Sequence, residues 1–232
     1  MKIRFNPNKH VLRHVIMGLL MTLSVLVLAA CGPTATVDAA TADDLSDGEI
    51  NGLLFMREEE KLARDVYLTL YKQWELPIFQ NIANSEQSHL DAVATLLDRH
   101  DLADPAAGQD IGEFTNEDLQ ALYDALIATG SATLEDAMRV GATIEEIDIL
   151  DLEKHIAETN KADIVQVYEN LLRGSRNHLR AFTGTLERQT GGAYSPQHLD
   201  KSSYDEIVSG SVETERGARG GRRDSRGGRG HP

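Results

Sequence analysis

Residues 53–74, LLFMREEEKLARDVYLTLYKQW, decide the fold. Leu53, Met56, Ala63, Tyr67, Leu70 and Trp74 follow one another at steps of three and four once position 60 is counted in, which is the period of a helix with one buried face. No proline or glycine interrupts the run, and the pattern predicts a helix from about Asp47 to Glu75. Position 60 falls where the repeat calls for an apolar side chain, yet it holds a glutamate.

The same alternation returns three times. After Pro77 it runs through Phe79, Ile82, positions 86 and 89, Val93 and Leu96. A third long helix is predicted from near Ser131 with Met138, Ala142, position 145, Ile149, Leu152 and Ile156, and Gly141 is its weak point. A fourth, from about Asp163 to Arg188, carries Ile164, Tyr168, Leu171, positions 175 and 178, and Phe182. Between the second and third lies a stretch with Pro105 and Gly108, then Thr115 as a fair N-cap for a short helix around Leu119 to Ile127. That excursion is too long for a hairpin and fits a crossover between two antiparallel helix pairs. The chain is therefore read as all-α: an antiparallel four-helix bundle with a long crossover carrying a short extra helix. Beyond Gly191-Gly192 a short irregular arm is expected, with Tyr194, Pro196, Leu199, Tyr204 and Ile207 able to pack back on the bundle.

The non-apolar members of these stripes are Glu60, Glu86, His89, Glu145, Ser175 and His178. A carboxylate taken out of water without a partner costs several kcal/mol, so polar groups on the inward stripe of all four helices need a cause, and metal supplies one. Glu86-Gln87-Ser88-His89 is an ExxH unit, whose first and last residues project side by side and can offer an oxygen and an imidazole nitrogen to one ion. Di-iron carboxylate bundles use a Glu on each of two helices and an ExxH on each of the other two. Oxygen-rich ligation with one or two imidazoles suits iron or manganese, and zinc also fits. The competing assignment is a buried polar network that binds nothing. Glu58 and Glu59 lie off the stripe and read as a solvated charge run; His100, His155 and His198 read as surface or edge histidines. Tyr67 and Tyr168, on the inner stripes, read first as core and second as hydrogen-bonding neighbours of the ligands.

Glu60-Lys61-Leu62-Ala63-Arg64-Asp65-Val66-Tyr67 resembles the ExxARxxY opening of rubrerythrin-type ferritin-like domains, and residues 78–89, IFQNIANSEQSH, resemble their second helix. The stretch from about Glu49 to Ile207 resembles the DUF2202 group of ferritin-like proteins more closely. The resemblance implies a centre of two ions, with Glu60 a terminal ligand, Glu86 a bridging one and His89 a nitrogen ligand, while Glu145 and His178 do similar work on helices three and four. It also implies an iron centre that reacts with peroxide or oxygen, as in a non-haem di-iron oxidoreductase or peroxidase, or one that handles iron. The departure is Ser175-Arg176-Asn177-His178 in place of the fourth helix's ExxH. Asp148, one turn beyond Glu145, can supply the missing oxygen; so can Glu146 or Asp151 in another register. With no such substitute the site is asymmetric, or holds one ion firmly and a second weakly.

The two ends carry different signals. Lys2, Arg4, Lys9 and Arg13 precede an uncharged run from Val15 to Ala30, the order of a secretory signal and short for a membrane span. The run closes on Leu28-Ala29-Ala30-Cys31, which resembles the lipobox of bacterial lipoproteins. Cleavage there leaves Cys31 as the lipidated first residue, and an uncleaved anchor helix is the other reading. Residues 1–30 are thus expected to be a lipoprotein signal peptide, 31–46 a flexible tether, 47–208 the bundle and 209–232 a disordered Arg/Gly-rich tail. The expected setting is outside the cytoplasm, tethered to a membrane through Cys31. Cys31 is the one cysteine of the chain, so neither a disulfide nor a rubredoxin-like relay is available, and a redox role needs a separate electron donor. Of the net −14, the leader contributes four positive charges and the chain from Ser211 onward a net +3, so residues 32–210 carry −21. Such a domain attracts cations and disfavours nucleic acid as a partner. The tail resembles RNA-binding RGG segments, but export favours anionic lipid, cell-wall polymer or the acidic bundle itself as what it meets, and a tail merely tolerated at the terminus is an equal reading. The alternative to a redox protein is a helical lipoprotein serving as a surface interaction module, with its metal structural or absent.

Overall fold

The computed structural model describes residues 44–214, and among them all regular structure is helical. Six helices follow in order: α1 (Asp47–Trp74), α2 (Pro77–Arg99), α3 (Glu117–Gly130), α4 (Leu134–Glu158), α5 (Ala162–Thr190) and α6 (Lys201–Ser209). The predicted signal peptide and lipidation site, with all but the last residues of the tether, and the tail from residue 215 lie outside the described residues.

Short links fix the pairing. Glu75, in the left-handed region at φ 52°, ends α1, and Pro77 opens α2 at a position where its missing N–H costs nothing. The Thr159–Lys161 link joins α4 to α5 just as tightly. The α1/α2 and α4/α5 hairpins then pack side by side, α1 against α4 and α2 against α5. Tyr67 reaching Gly141 and Glu145 from the later half of α1, and His155 approaching Gly52 near its start, show that α1 and α4 run antiparallel. The crossover between α2 and α4 is long because those helices run in the same direction. Four of the six helix starts are capped by a side chain: Ser46 and Glu49 form a capping box on α1, and Asn116, Thr133 and Asp200 accept backbone N–H bonds at the starts of α3, α4 and α6.

Gly141 does not break α4. A β-carbon there would sit 2.5 Å from the Phe182 ring, so the glycine lets α5 approach, and packing overrides its poor propensity. Tyr67, Phe79 and Phe182 form an aromatic layer at this level, with Tyr67 and Phe182 centroids 5.0 Å apart.

Two expectations need correction. The arm after Gly191 is not irregular throughout, because residues 201–209 form α6 and bury Tyr204 and Ile207. Glu58 and Glu59 are not a solvated charge run: each is 5% exposed. Glu58 is covered because the crossover lies over the outer face of α1, where its carboxylate accepts from the Thr115 N–H at 2.5 Å and the Asn116 N–H at 3.2 Å. The same face uses buried Lys61 to donate to the carbonyls of Asp110 and Glu113, and Asp65 to accept from Lys61 and the Gly112 N–H. These charged groups satisfy backbone atoms that a polar loop would otherwise bury unpaired. Past α6, Glu213 accepts from Arg176 and Arg180 on α5, whose guanidinium groups hold its carboxyl down at about 2.

Candidate metal centre

The centre lies midway along the bundle, where each of the four long helices turns one stripe inward. Glu60 comes from α1, Glu86 and His89 from α2, Glu145 and Asp148 from α4, and His178 from α5. All but His89 are buried, and the His89 side chain is only 12% exposed. Among the described residues, two groups of three have ligand atoms within 4.8 Å of one another: Glu60, Glu86 and His89, and Glu86, Glu145 and His178. Glu86 belongs to both. Its Oε2 stands 2.7 Å from His89 Nδ1 and its Oε1 stands 2.8 Å from His178 Nδ1, so each carboxylate oxygen faces a different imidazole. Glu60 Oε2 lies 3.2 Å from His89 Nδ1, and Glu145 Oε2 lies 3.5 Å from His178 Nδ1. The two imidazole rings stack with centroids 5.7 Å apart.

Neighbouring residues set the orientation of these groups. Ser85 Oγ is 3.0 Å from His178 Nε2, which turns Nδ1 toward the carboxylates. Tyr67 donates its hydroxyl to Glu145 Oε1 at 2.5 Å and so joins the centre as a hydrogen-bonding neighbour. Gly174 makes room for His89, since a β-carbon there would fall 2.6 Å from ring atoms Cε1 and Nε2. Gly174→Ala is therefore expected to displace the His89 ring and weaken metal binding by about 10–100-fold, the range typical when a ligand loses its support, with helix content by circular dichroism unchanged. Ion titration beside a circular dichroism spectrum checks it.

Ser175, standing where an ExxH glutamate was expected, donates its hydroxyl to Asp148 Oδ2 and to the Leu171 carbonyl. The sequence left Asp148, Glu146 and Asp151 open as substitutes, and the geometry separates them. Glu146 accepts backbone N–H bonds from Gln197, His198 and Leu199, and so anchors the arm. Asp151 stands against Glu59 and is partly exposed. Asp148 is buried among Glu60, Glu145 and Glu86, with Oδ1 unpartnered.

Charge in this space is poorly balanced by the protein alone. Burial pushes Glu60 up to about 7 and Glu145 upward, against the pull of His89 and His178 respectively. Burial and then the charge of Glu60 push Asp148 well above the usual carboxylate range. Burial would raise Glu86 too, but His178 and His89 more than offset it and hold its carboxyl low. Burial would lower the imidazoles, yet Glu60 and Glu86 raise His89, and Glu86 and Glu145 raise His178 to about 10. Ion pairing within the centre leaves much unsatisfied: Glu60 Oε1, Glu86 Oε1, Asp148 Oδ1 and His178 Nδ1 are buried with no hydrogen-bond partner. Glu86 Oε1 and His178 Nδ1 are close enough to bond but are not aligned to do so. Lone pairs that converge on a space, rather than on a donor, fit a cation held between them, and the mixture of carboxylate oxygen and imidazole nitrogen fits iron, manganese or zinc.

Sequence reasoning missed Glu59, whose buried carboxylate lies beside this centre. The signal available was its place in Glu58-Glu59-Glu60, where burial of one glutamate on a helix enclosed on several sides brings its neighbours with it. His155 and His198 are half-buried rather than open to solvent. His100 lies 3.2 Å from Asp163 at the α2/α5 edge.

The chain is 53% identical over 169 residues to uncharacterized protein MJ0754 of Methanocaldococcus jannaschii, which covers 73% of this chain and 91% of that protein. The crystal structure of hypothetical protein MJ0754 from Methanococcus jannaschii DSM 2661 superposes with a TM-score of 0.72 at 49% identity, covering 79% of this chain and all of that one. Residues 49–211 match the family model described as an uncharacterized protein domain, DUF2202, and the chain belongs to the DUF2202 family.

Proposed function

We propose that this protein is a ferritin-like, non-haem di-metal protein with iron in both positions, exported and tethered to a membrane through lipid on Cys31, whose centre reacts with peroxide or oxygen. The observation that carries the reading is Glu86, whose two oxygens face two different imidazoles inside two overlapping ligand groups. A carboxylate so placed is suited to bridging a pair of ions. Glu60 and Glu145 would hold one ion each, with His89 and His178 as their nitrogen ligands, and Asp148 would supply the oxygen that Ser175 cannot.

Iron bound there would contribute Lewis acidity and electron exchange with an oxidant. The chain's own part is to hold and shield the centre. Tyr67 fixes Glu145 by a hydrogen bond and, with Phe79 and Phe182, excludes water on one side. Electrons come from a separate donor, because the single cysteine leaves no pair for an internal relay. Charge supports cations over nucleic acid as what the bundle attracts. No helix of the described residues is long and apolar enough to cross a membrane, so the tethering reading rests on the leader and Cys31 alone.

The full chain loaded with ferrous iron is expected to consume hydrogen peroxide or to oxidise ferrous ion faster than iron in buffer. Iron-loaded protein that does neither would overturn the redox reading and favour a surface interaction module with a structural metal.

A further inference from the structure

From the centre to the end of the bundle, α4 carries Glu145, Asp148, Asp151, His155 and Glu158 at steps of three, three, four and three. That spacing keeps them on one side of the helix. This is the side facing α1, which contributes Glu60, Glu59 and Glu49. The groups are linked in sequence. Asp148 is an electrostatic neighbour of both Glu60 and Glu59. Glu59 and Asp151 stand carboxyl to carboxyl, a contact that becomes a hydrogen bond only when one is protonated. His155 lies near Asp151 and 3.4 Å from Glu158. At the outer end a small pocket is lined by Glu49, Gly52, His155, Glu158, Thr159 and Tyr168.

A row of acidic groups alone says little, but here buried oxygens along it have no hydrogen-bond partner, and outward from Glu60 these are Glu59 Oε2, Asp148 Oδ1 and the Tyr168 hydroxyl. Glu59 is the electrostatic neighbour of both Asp148 and Tyr168. Nothing in the Glu86 centre uses Glu59 or Asp151, and neither belongs to a group of three whose ligand atoms converge within 4.8 Å. Oxygen ligands that are near one another without forming a cage suit an ion in passage better than a resident one.

We propose that Glu59, with Asp151 on its outer side and Asp148 on its inner side, is a transit site for a divalent cation on a route from the pocket at Glu49, His155 and Glu158 to the centre. The inference rests on the metal-centre reading above. Hard carboxylate oxygen selects ferrous or manganous ion as cargo, and successive carboxylates let the ion exchange one oxygen for the next without being stripped of ligands. Asp148 belongs to both sites and is the point of transfer.

The test follows uptake of cobaltous ion by metal-depleted full-length protein, read in a stopped-flow spectrometer from the visible absorption of bound cobalt. Glu59→Gln keeps the side chain's size and removes the buried carboxyl that an incoming cation would ionise, so it is expected to fold. It should reach the parental stoichiometry about tenfold more slowly or worse, because a cleft of one charge raises cation on-rates by about 10–10³. Asp151→Asn, at a partly exposed position, should slow loading likewise, and Glu153→Gln, on the exposed face of α4, should load at the parental rate. Circular dichroism establishes that each variant is folded. Parental loading rates in both Glu59→Gln and Asp151→Asn would overturn the route while leaving the centre intact. A parent that binds no cobalt would overturn the centre and the route together.

Discussion

Glu86→Ala is expected to remove both ions. Glu86 supplies an oxygen to each of the two ligand groups, so its loss leaves Glu60 with His89 on one side and Glu145 with His178 on the other, with Asp148 the one further carboxylate to serve both. The fall in affinity should exceed about 100-fold at both positions, beyond the 10–100-fold that typically follows loss of a residue merely supporting a ligand. His178→Ala provides the contrast, because it depletes one group and leaves Glu60, Glu86 and His89 whole. One ion is then retained and the second is weakened. Calorimetric titration of both variants with manganous ion, which is not consumed by air as ferrous ion is, distinguishes a shared bridge from two independent sites. Equal losses in the two variants would argue against sharing.

Metal should also govern stability. Without it the bundle must enclose Glu60, Glu145 and Asp148 at raised protonation, since burial works against their charges. At a free ion concentration a thousand times the dissociation constant, binding to the folded state alone contributes about 4 kcal/mol. For a chain of this size that corresponds to roughly 8–16 °C in melting temperature. The effect depends on pH in a definite direction. Glu60 at about 7 in the folded protein against 4.5 unfolded means that the folded state holds more protons between those values, so metal-free stability falls as pH rises through that window. His178 at about 10 against 6.5 acts the same way, its stabilisation being present below 6.5 and lost as pH climbs toward 10. Ions replace those protons, so the gap between loaded and chelated protein should widen from pH 5 to pH 8. Differential scanning calorimetry with and without chelator checks it, and a gap that is absent or narrows with pH contradicts a metal held by these groups.

Much of this was legible in the sequence because the bundle is regular. The three-and-four alternation located the four long helices to within a few residues, and the same register exposed Glu60, Glu86, His89, Glu145 and His178 as polar groups in apolar places, which the structure brings together. What the register could not show was coverage from outside. Glu58, Lys61 and Asp65 look like a solvated face when α1 is considered alone; the crossover turns that face inward, and its N–H and C=O groups need those charges as partners. Nor could spacing choose among Asp148, Glu146 and Asp151, which all follow Glu145 within two turns. The choice depended on where the arm's backbone and the Ser175 hydroxyl found their acceptors. The nine residues of α6 are too few for a periodic signal, and their burial of Tyr204 and Ile207 against the bundle stabilises a helix that length alone would leave marginal.

The most direct test of the central claim is metal content. The full chain, prepared from cells grown with supplemental iron, is analysed for elements beside a Glu86→Ala/His89→Ala double variant whose fold is verified by circular dichroism. The two overlapping ligand groups predict about two irons per chain in the parent and none in the double variant. A parent free of iron, manganese and zinc, and unable to take them up, would mean that these buried carboxylates and imidazoles form a polar core that binds nothing.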